Sequence, residues 1–110
     1  MTTFRGQTIL FAPISVAGAG DNPVVAADAA KKIKVLSYVL VADAAVAVKW
    51  RRGGTDLSGA MSFIANSGAV APAVSPADGW WFETGINEAL NLNLSAAVGV
   101  RGHLSYTLEG

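Results

Sequence analysis

The chain has 110 residues, which is the size of one domain. Hydrophobic residues make up 52% of it and charged residues 15%, whereas about 25% of an average soluble domain is charged. The formal net charge of +0 disfavours nucleic acid as a partner, and the lack of cysteine excludes disulfides, thiolate metal ligands and cysteine nucleophiles. Because a neutral chain with few charges tends to associate, we expect a partner to cover part of its apolar surface.

The N-terminal region, residues 1–30, is rich in alanine and contains several glycines and prolines, so it predicts an extended arm. One strand is expected within it, near residues 8–16. The same stretch faintly resembles a signal peptide, but Pro13 interrupts the apolar run. No stretch of the chain reaches the roughly 18 apolar residues of a membrane span. The arm residues expected to contact a partner are Phe4, Arg5, Ile9 and Phe11.

Two apolar runs follow, at residues 33–41 and 45–50, and residues 42–44 between them predict a hairpin. The first run is apolar on both parities, which is typical of a strand covered on both faces. A two-layer sandwich covers only one face, so a loop, the arm or another subunit must cover the second. The residues assigned to a self-association interface are Leu36, Tyr38 and Leu40.

The rest of the chain predicts short strands separated by turn signals about every ten residues. Residues 52–56, which include two glycines, predict a turn, and Gly102 predicts a bulge or a close backbone approach. Apolar and polar residues alternate strictly in the last two strands. The strands are expected near residues 61–65, 69–74, 80–83, 90–95 and 98–109. Residues 31–110 are therefore predicted to form one all-β domain, a jelly-roll-like antiparallel β-sandwich of about seven or eight strands.

Few residues predict chemistry. His103 is the only histidine, and it lies on the polar side of the last predicted strand. Glu83 and Glu88 are the nearest acidic pair in the sequence, and the other acids are scattered without the pattern of a calcium loop. We therefore expect no catalytic residues, no metal site and no cofactor.

Two groups of residues predict contact with a partner. Neighbouring side chains of a strand face opposite sides, so one of Trp80 and Trp81 is expected to fill the core and the other to point away from it. The outward tryptophan would be a binding anchor or a sugar-stacking platform. Residues 49–52 form the one basic cluster, which suits a salt-bridging partner surface. The candidates for partner contact are Trp50, Arg51, Arg52, Trp80 and Trp81.

Several of these segments resemble strands of small virion proteins of tailed bacteriophages. The resemblance covers residues 31–110 and rests on residues 32–41, 79–84, 88–95 and 98–106. It implies a jelly-roll protein of the capsid decoration, or cement, class. Such proteins commonly sit as trimers on the outside of a matured head, where they bridge neighbouring capsomers. The resemblance implies no catalytic residue.

The leading hypothesis is a non-enzymatic decoration protein that forms a homotrimer and binds the major capsid protein through the N-terminal arm. It would be made in the host cytoplasm and located on the outer capsid surface, with no nucleic-acid or membrane partner. An alternative is a tail or fibre jelly-roll module that binds host glycan through Trp80 or Trp81. A third hypothesis is a small hydrolase, for which His103, Glu83 and Glu88 are the plausible groups.

Overall fold

The computed structural model of the protein describes residues 2–4, 7–74 and 79–110, and their side chains from residue 8 onward. The predicted all-β sandwich is confirmed: strands account for 62% of the structure, the described residues contain no helix, and two antiparallel sheets pack face to face. The strands in the described residues are β1 (Thr2–Phe4), β2 (Gln7–Val16), β3 (Gly20–Val25), β4 (Lys32–Ala42), β5 (Val46–Arg52), β6 (Thr55–Asp56), β7 (Met61–Phe63), β8 (Gly68–Ala71), β9 (Phe82–Glu83), β10 (Leu90–Leu94) and β11 (Val100–Glu109).

The larger sheet has six strands in the order β1-β2-β11-β4-β8, and β9 also pairs with β4. The smaller sheet has five strands in the order β3-β10-β5-β6, and β7 also pairs with β5. The alternation of apolar and polar residues suits the central strands, because every second side chain points into the space between the sheets. On β10, for example, Leu90, Leu92 and Leu94 are at most 2% exposed. The core is therefore the layer between β11 and β4 on one side and β10 and β5 on the other.

The two apolar runs of the middle segment do form strands, but the predicted hairpin between them is wrong. β4 belongs to the six-stranded sheet and β5 to the five-stranded sheet, so residues 43–45 cross from one layer to the other. The crossing is held by Asp43 N–H, which donates to Gly99 O at 2.8 Å, and by Ala42 N–H, which donates to Ser67 O at 2.8 Å. Alternation alone does not distinguish a hairpin from a change of sheet, because both keep the same side chains inward.

The N-terminal region contributes to both sheets instead of forming a separate arm over its described residues. β2 pairs with β11 from Leu10 to Val16, and β3 pairs with β10. Ile14 and Val25 are 3% and 8% exposed and belong to the core. The inward alternation of β2 explains this placement, since an apolar strand face gains stability by packing on the core. The boundary expected at residue 30 therefore does not separate an arm from the sandwich.

A bulge in β4 explains why this strand is apolar on both parities. β11 pairs Ser105 with Ser37 and the next residue, Tyr106, with Val35, so Leu36 is an extra residue in β4. Before this extra residue the odd-numbered side chains of β4 point inward, and after it the even-numbered side chains do. Ile33, Val35, Tyr38, Leu40 and Ala42 all pack in the core as a result. Much of the apolar character of β4 thus serves a single face.

Candidate functional site: the outer face of the six-stranded sheet

The strand registers define which side chains share the outer face of the six-stranded sheet. Position 103 of β11 pairs with Pro13 of β2 and with Val39 of β4, and Val39 in turn pairs with Val70 of β8. Paired residues of antiparallel strands lie side by side on the same face. These four side chains therefore form one row across the sheet, with His103 between apolar neighbours.

The rows on either side of it extend the same surface. One contains Phe11, Ser105 and Ser37, and the other contains Ser15, Arg101 and Val41. The exposed fractions of Phe11, Val41 and Val70 are 64%, 44% and 69%, which is high for large apolar residues. Pro13 and His103 are exposed as well, and Val39 is half-buried. We call this surface the apolar face; its residues are Phe11, Pro13, Val39, Val41 and Val70, with His103 at the centre.

Several polar groups of this region are paired within the chain. Arg101 Nη2 lies 3.1 Å from Asp43 Oδ2, and the hydroxyls of Ser37 and Ser105 form a short hydrogen bond across the strand pair. Thr107, which points outward further along β11, donates to Thr8 O at 2.9 Å. Covering such a surface with another protein leaves few hydrogen-bonding groups without a partner, so desolvation costs little.

The outer face of the five-stranded sheet is charged instead. Arg51 Nε donates to Asp56 Oδ1 at 2.8 Å, and its Nη1 lies 3.2 Å from Asp21 Oδ2. Lys49 Nζ also binds Asp56 at 3.3 Å, and Asn93 donates to Asp21 at 2.8 Å. The hydrogen bond from Lys49, followed by its charge and by Arg51, holds the pKa of Asp56 below its ordinary value of 3.8. This network is typical of a surface that faces water.

The residues predicted for self-association are not available to a partner. Leu36 and Leu40 are 2% and 1% exposed, and the Tyr38 ring packs edge-on against Trp50 with centroids 5.3 Å apart. The assignment was based on a strand covered on both faces, and the bulge at Leu36 removes that basis. The apolar side chains on the outer side of the same strand are Val39 and Val41, which were not among the predicted interface residues.

The basic cluster and its tryptophan form no open partner surface. Trp50 is 0% exposed, lies in the core with its ring centroid 5.8 Å from that of Phe82, and its Nε1 has no hydrogen-bond partner among the described residues. Arg51 is held in the network described above. Arg52 Nη1 lies 3.5 Å from Glu88 Oε1. Trp50 is thus a core residue, and each of the two arginines forms an ion pair within the chain.

Trp80 and Trp81 are both exposed, at 44% and 47%, so the expectation that one of them fills the core is wrong. They precede β9, and it is Phe82 that packs with Trp50 and Tyr38 inside. The Trp80 ring lies over Lys34 Nζ at 3.7 Å from the ring centroid. Trp81 Nε1 donates to Pro72 O at 2.9 Å. The two rings thus form a second exposed apolar feature, beside β4.

The predicted arm contacts have different outcomes. Phe11 is exposed on the apolar face and Ile9 is half-buried in β2. Phe4 lies in β1, which pairs with β2, and Arg5 lies outside the described residues.

The groups considered for chemistry have different surroundings in the structure. His103 is on the apolar face, Glu83 lies 3.9 Å from Lys34 Nζ, and Glu88 accepts a hydrogen bond from Gly85 N–H. No group of three histidine or acidic side chains that could hold a metal ion occurs in the described residues. Within the same residues, no helix has the length and apolar character needed to cross a membrane.

No protein-family model, curated protein or solved structure matches this chain significantly. The evidence for a function therefore comes from the two exposed apolar features and from their contrast with the charged face. The sequence patterns did not identify four residues of the apolar face, which are Pro13, Val39, Val41 and Val70. The signal that could have found them is the register between β2, β11, β4 and β8, which alternation within one strand does not specify.

Proposed function

We propose that this chain is a non-enzymatic structural protein of a tailed-phage virion, a decoration protein that binds the outside of the head as a homotrimer. The observation that supports this most directly is the apolar face. Exposed apolar side chains in one contiguous patch are typical of protein–protein interfaces. The resemblance to small virion proteins supplies the head location and the trimer.

The apolar face is proposed as the contact between copies of the chain. A chain of net charge +0 does not repel its own copies, and the ion pair Arg101–Asp43 is neutral as a unit. A closed ring of three copies is heterologous, so the apolar face of one copy packs on a different surface of the next. A specific interface of this kind takes about 800 Å² from each partner.

The contact with the major capsid protein is proposed for the N-terminal hairpin formed by β1 and β2. β1 is the outermost strand of the six-stranded sheet on that side and pairs only with β2 among the described strands. An edge strand offers unpaired backbone groups to another chain. Many copies on one shell then bind with avidity even when each contact is weak.

Two measurements test this function. Size exclusion with light scattering is expected to give about three times the chain mass of 11.3 kDa. Sedimentation with purified heads is expected to retain the full chain and to release a variant that lacks residues 2–6, which leaves β2 intact. A monomer at high concentration would contradict the proposed self-association. Equal retention of the shortened variant would contradict the proposed contact through the hairpin.

Location in the tail or a fibre is the alternative. The exposed pair Trp80 and Trp81 favours it, because a receptor-binding module needs an exposed ligand site. Binding assays with separated heads and tails distinguish the two locations directly.

A further inference from the structure

The surroundings of Trp80 and Trp81 resemble a small binding site more than part of the apolar face. Lys34 lies beneath the Trp80 ring and pairs with two carboxylates, Glu109 at 2.9 Å and Glu83 at 3.9 Å. We call this group the tryptophan corner; it consists of Lys34, Trp80, Trp81, Glu83 and Glu109. We propose that the tryptophan corner binds a carbohydrate, and this inference holds whether the protein is on the head or on the tail.

The backbone and the ring contacts fix the two tryptophans in place before any ligand binds. Trp81 N–H donates to Val35 O at 2.8 Å, and its indole Nε1–H donates to Pro72 O at 2.9 Å. Trp80 has one ring face on the Lys34 ammonium while 44% of the residue remains exposed. A ring held in this way loses little conformational freedom on binding, which favours affinity for a weakly interacting ligand.

The chemistry around the rings suits a sugar better than a protein segment. A sugar presents an apolar face of C–H groups to an aromatic ring and hydroxyl groups at its edge. Here the carboxylates of Glu83 and Glu109, 34% and 46% exposed, provide hydrogen-bond acceptors beside the ring. Hydrogen-bonding groups at the edge of an aromatic ring are what the hydroxyl groups of a sugar need. Because the rim contains both a cation and anions, a neutral or weakly charged oligosaccharide is expected.

The site is separate from the charged network of the other sheet and uses residues that the fold does not need in the core. Lys34 is nonetheless buried, with only 8% of its side chain exposed, and it anchors the corner to β4. Substitution of the tryptophans is therefore preferable to substitution of Lys34 as a test. Replacement by phenylalanine provides a conservative partner for each alanine variant.

The test is titration of the full-length protein with maltohexaose, chitohexaose and mannohexaose, followed by tryptophan fluorescence and by calorimetry. At least one of the three is expected to bind saturably and to change the emission of the exposed tryptophans, while buried Trp50 serves as an internal reference. Trp80→Ala and Trp81→Ala are each expected to weaken binding about tenfold or more, as loss of an aromatic stacking partner does for nucleotide bases. Trp80→Phe is expected to retain part of the affinity, and Glu109→Gln to weaken it.

The matched control is Ile64→Ala, which removes an apolar side chain that is 73% exposed elsewhere on the surface. It should bind like the unaltered protein, and thermal unfolding should show that every variant is folded. Absence of saturable binding with all three sugars would overturn the proposal, as would binding that survives both tryptophan-to-alanine substitutions. Neither result changes the mass in light scattering, so failure here is distinguishable from failure of the proposed trimer.

Discussion

The two outer faces of the sandwich have opposite chemistry although each is built from alternating strands. On the five-stranded sheet, Arg51 and Lys49 are paired with the carboxylates of Asp21 and Asp56 on other strands. On the six-stranded sheet, Val70 and Phe11 are exposed by more than half of their area, at 69% and 64%. This difference makes the outer face of the six-stranded sheet the better candidate for contact with a partner.

The largest expected effect is loss of self-association when a charge is placed on the apolar face. Val70→Lys changes a residue that is 69% exposed, so the fold should survive, but a buried unpaired ammonium opposes association. Val39→Lys places the same charge at the centre of the face. Light scattering should give a monomer for both variants.

The control for these variants lies on the other sheet. Ser62 is exposed on β7, between inward-facing Met61 and Phe63, so Ser62→Lys adds the same charge to the charged face. It should leave the mass unchanged. Equal dissociation of the Ser62 and Val70 variants would contradict the assignment of the charged face to solvent, because assembly would then depend on net charge or on contact by both faces.

The second prediction concerns the backbone that holds the apolar face together. Gly102 lies on β11 opposite Leu40, and an added Cβ would overlap the carbonyl oxygen of Val39. Gly102→Ala should therefore lower the free energy of unfolding by about 2–4 kcal/mol, because the overlapping atom belongs to backbone. Gly54→Ala is the control, since open space surrounds that position. Chemical denaturation measures both, and similar losses would contradict the close approach.

Gly102 also shows what the sequence predicts well. A glycine inside a strict alternation indicates a close backbone approach, and the structure confirms it. The strands β10 and β11 were predictable for the same reason, because alternation over five or more residues depends on the local sequence alone. The placement of β4 and β5 in different sheets was not, since it depends on hydrogen bonds with Gly99 and Ser67, which are distant in sequence.

The apolar face could not be predicted from the sequence for a related reason. A single extra residue at Leu36 reverses the inward parity of β4, and pattern reasoning assumes one parity along a strand. Trp80 and Trp81 were similarly expected to alternate as strand residues, but β9 begins only at Phe82. What a partner can contact thus depends on bulges and strand ends, which short patterns do not specify.

A third prediction uses His103, which the register places between Pro13 and Val39 on the apolar face. The residue is exposed, so His103→Asp should leave the fold intact. Burying an unpaired carboxylate between copies is unfavourable, so the association constant should fall by about tenfold.

Sedimentation equilibrium measures this effect. His103→Asn keeps a polar side chain without a charge, so its association should be close to that of the unaltered protein. If the His103→Asp variant associates as strongly as the unaltered protein, His103 does not lie in the contact.

The smallest expected effect lies on the charged face. It tests whether that face contributes only to stability and not to association. The pKa of Asp56 is lowered in the folded protein, chiefly by the hydrogen bond from Lys49. The ionised carboxylate therefore stabilises the fold at pH values above the ordinary pKa of 3.8. This contribution is lost as the pH falls below about 4 through the lowered folded-state pKa. Asp56→Asn should therefore unfold slightly more easily than the unaltered protein at neutral pH, and the stabilities of the two proteins should become equal in acid.

The mass of the Asp56→Asn variant in light scattering should not change, because Lys49, Arg51 and Asp56 lie on the sheet opposite the apolar face. A variant that dissociated would mean that both faces of the sandwich contact partners.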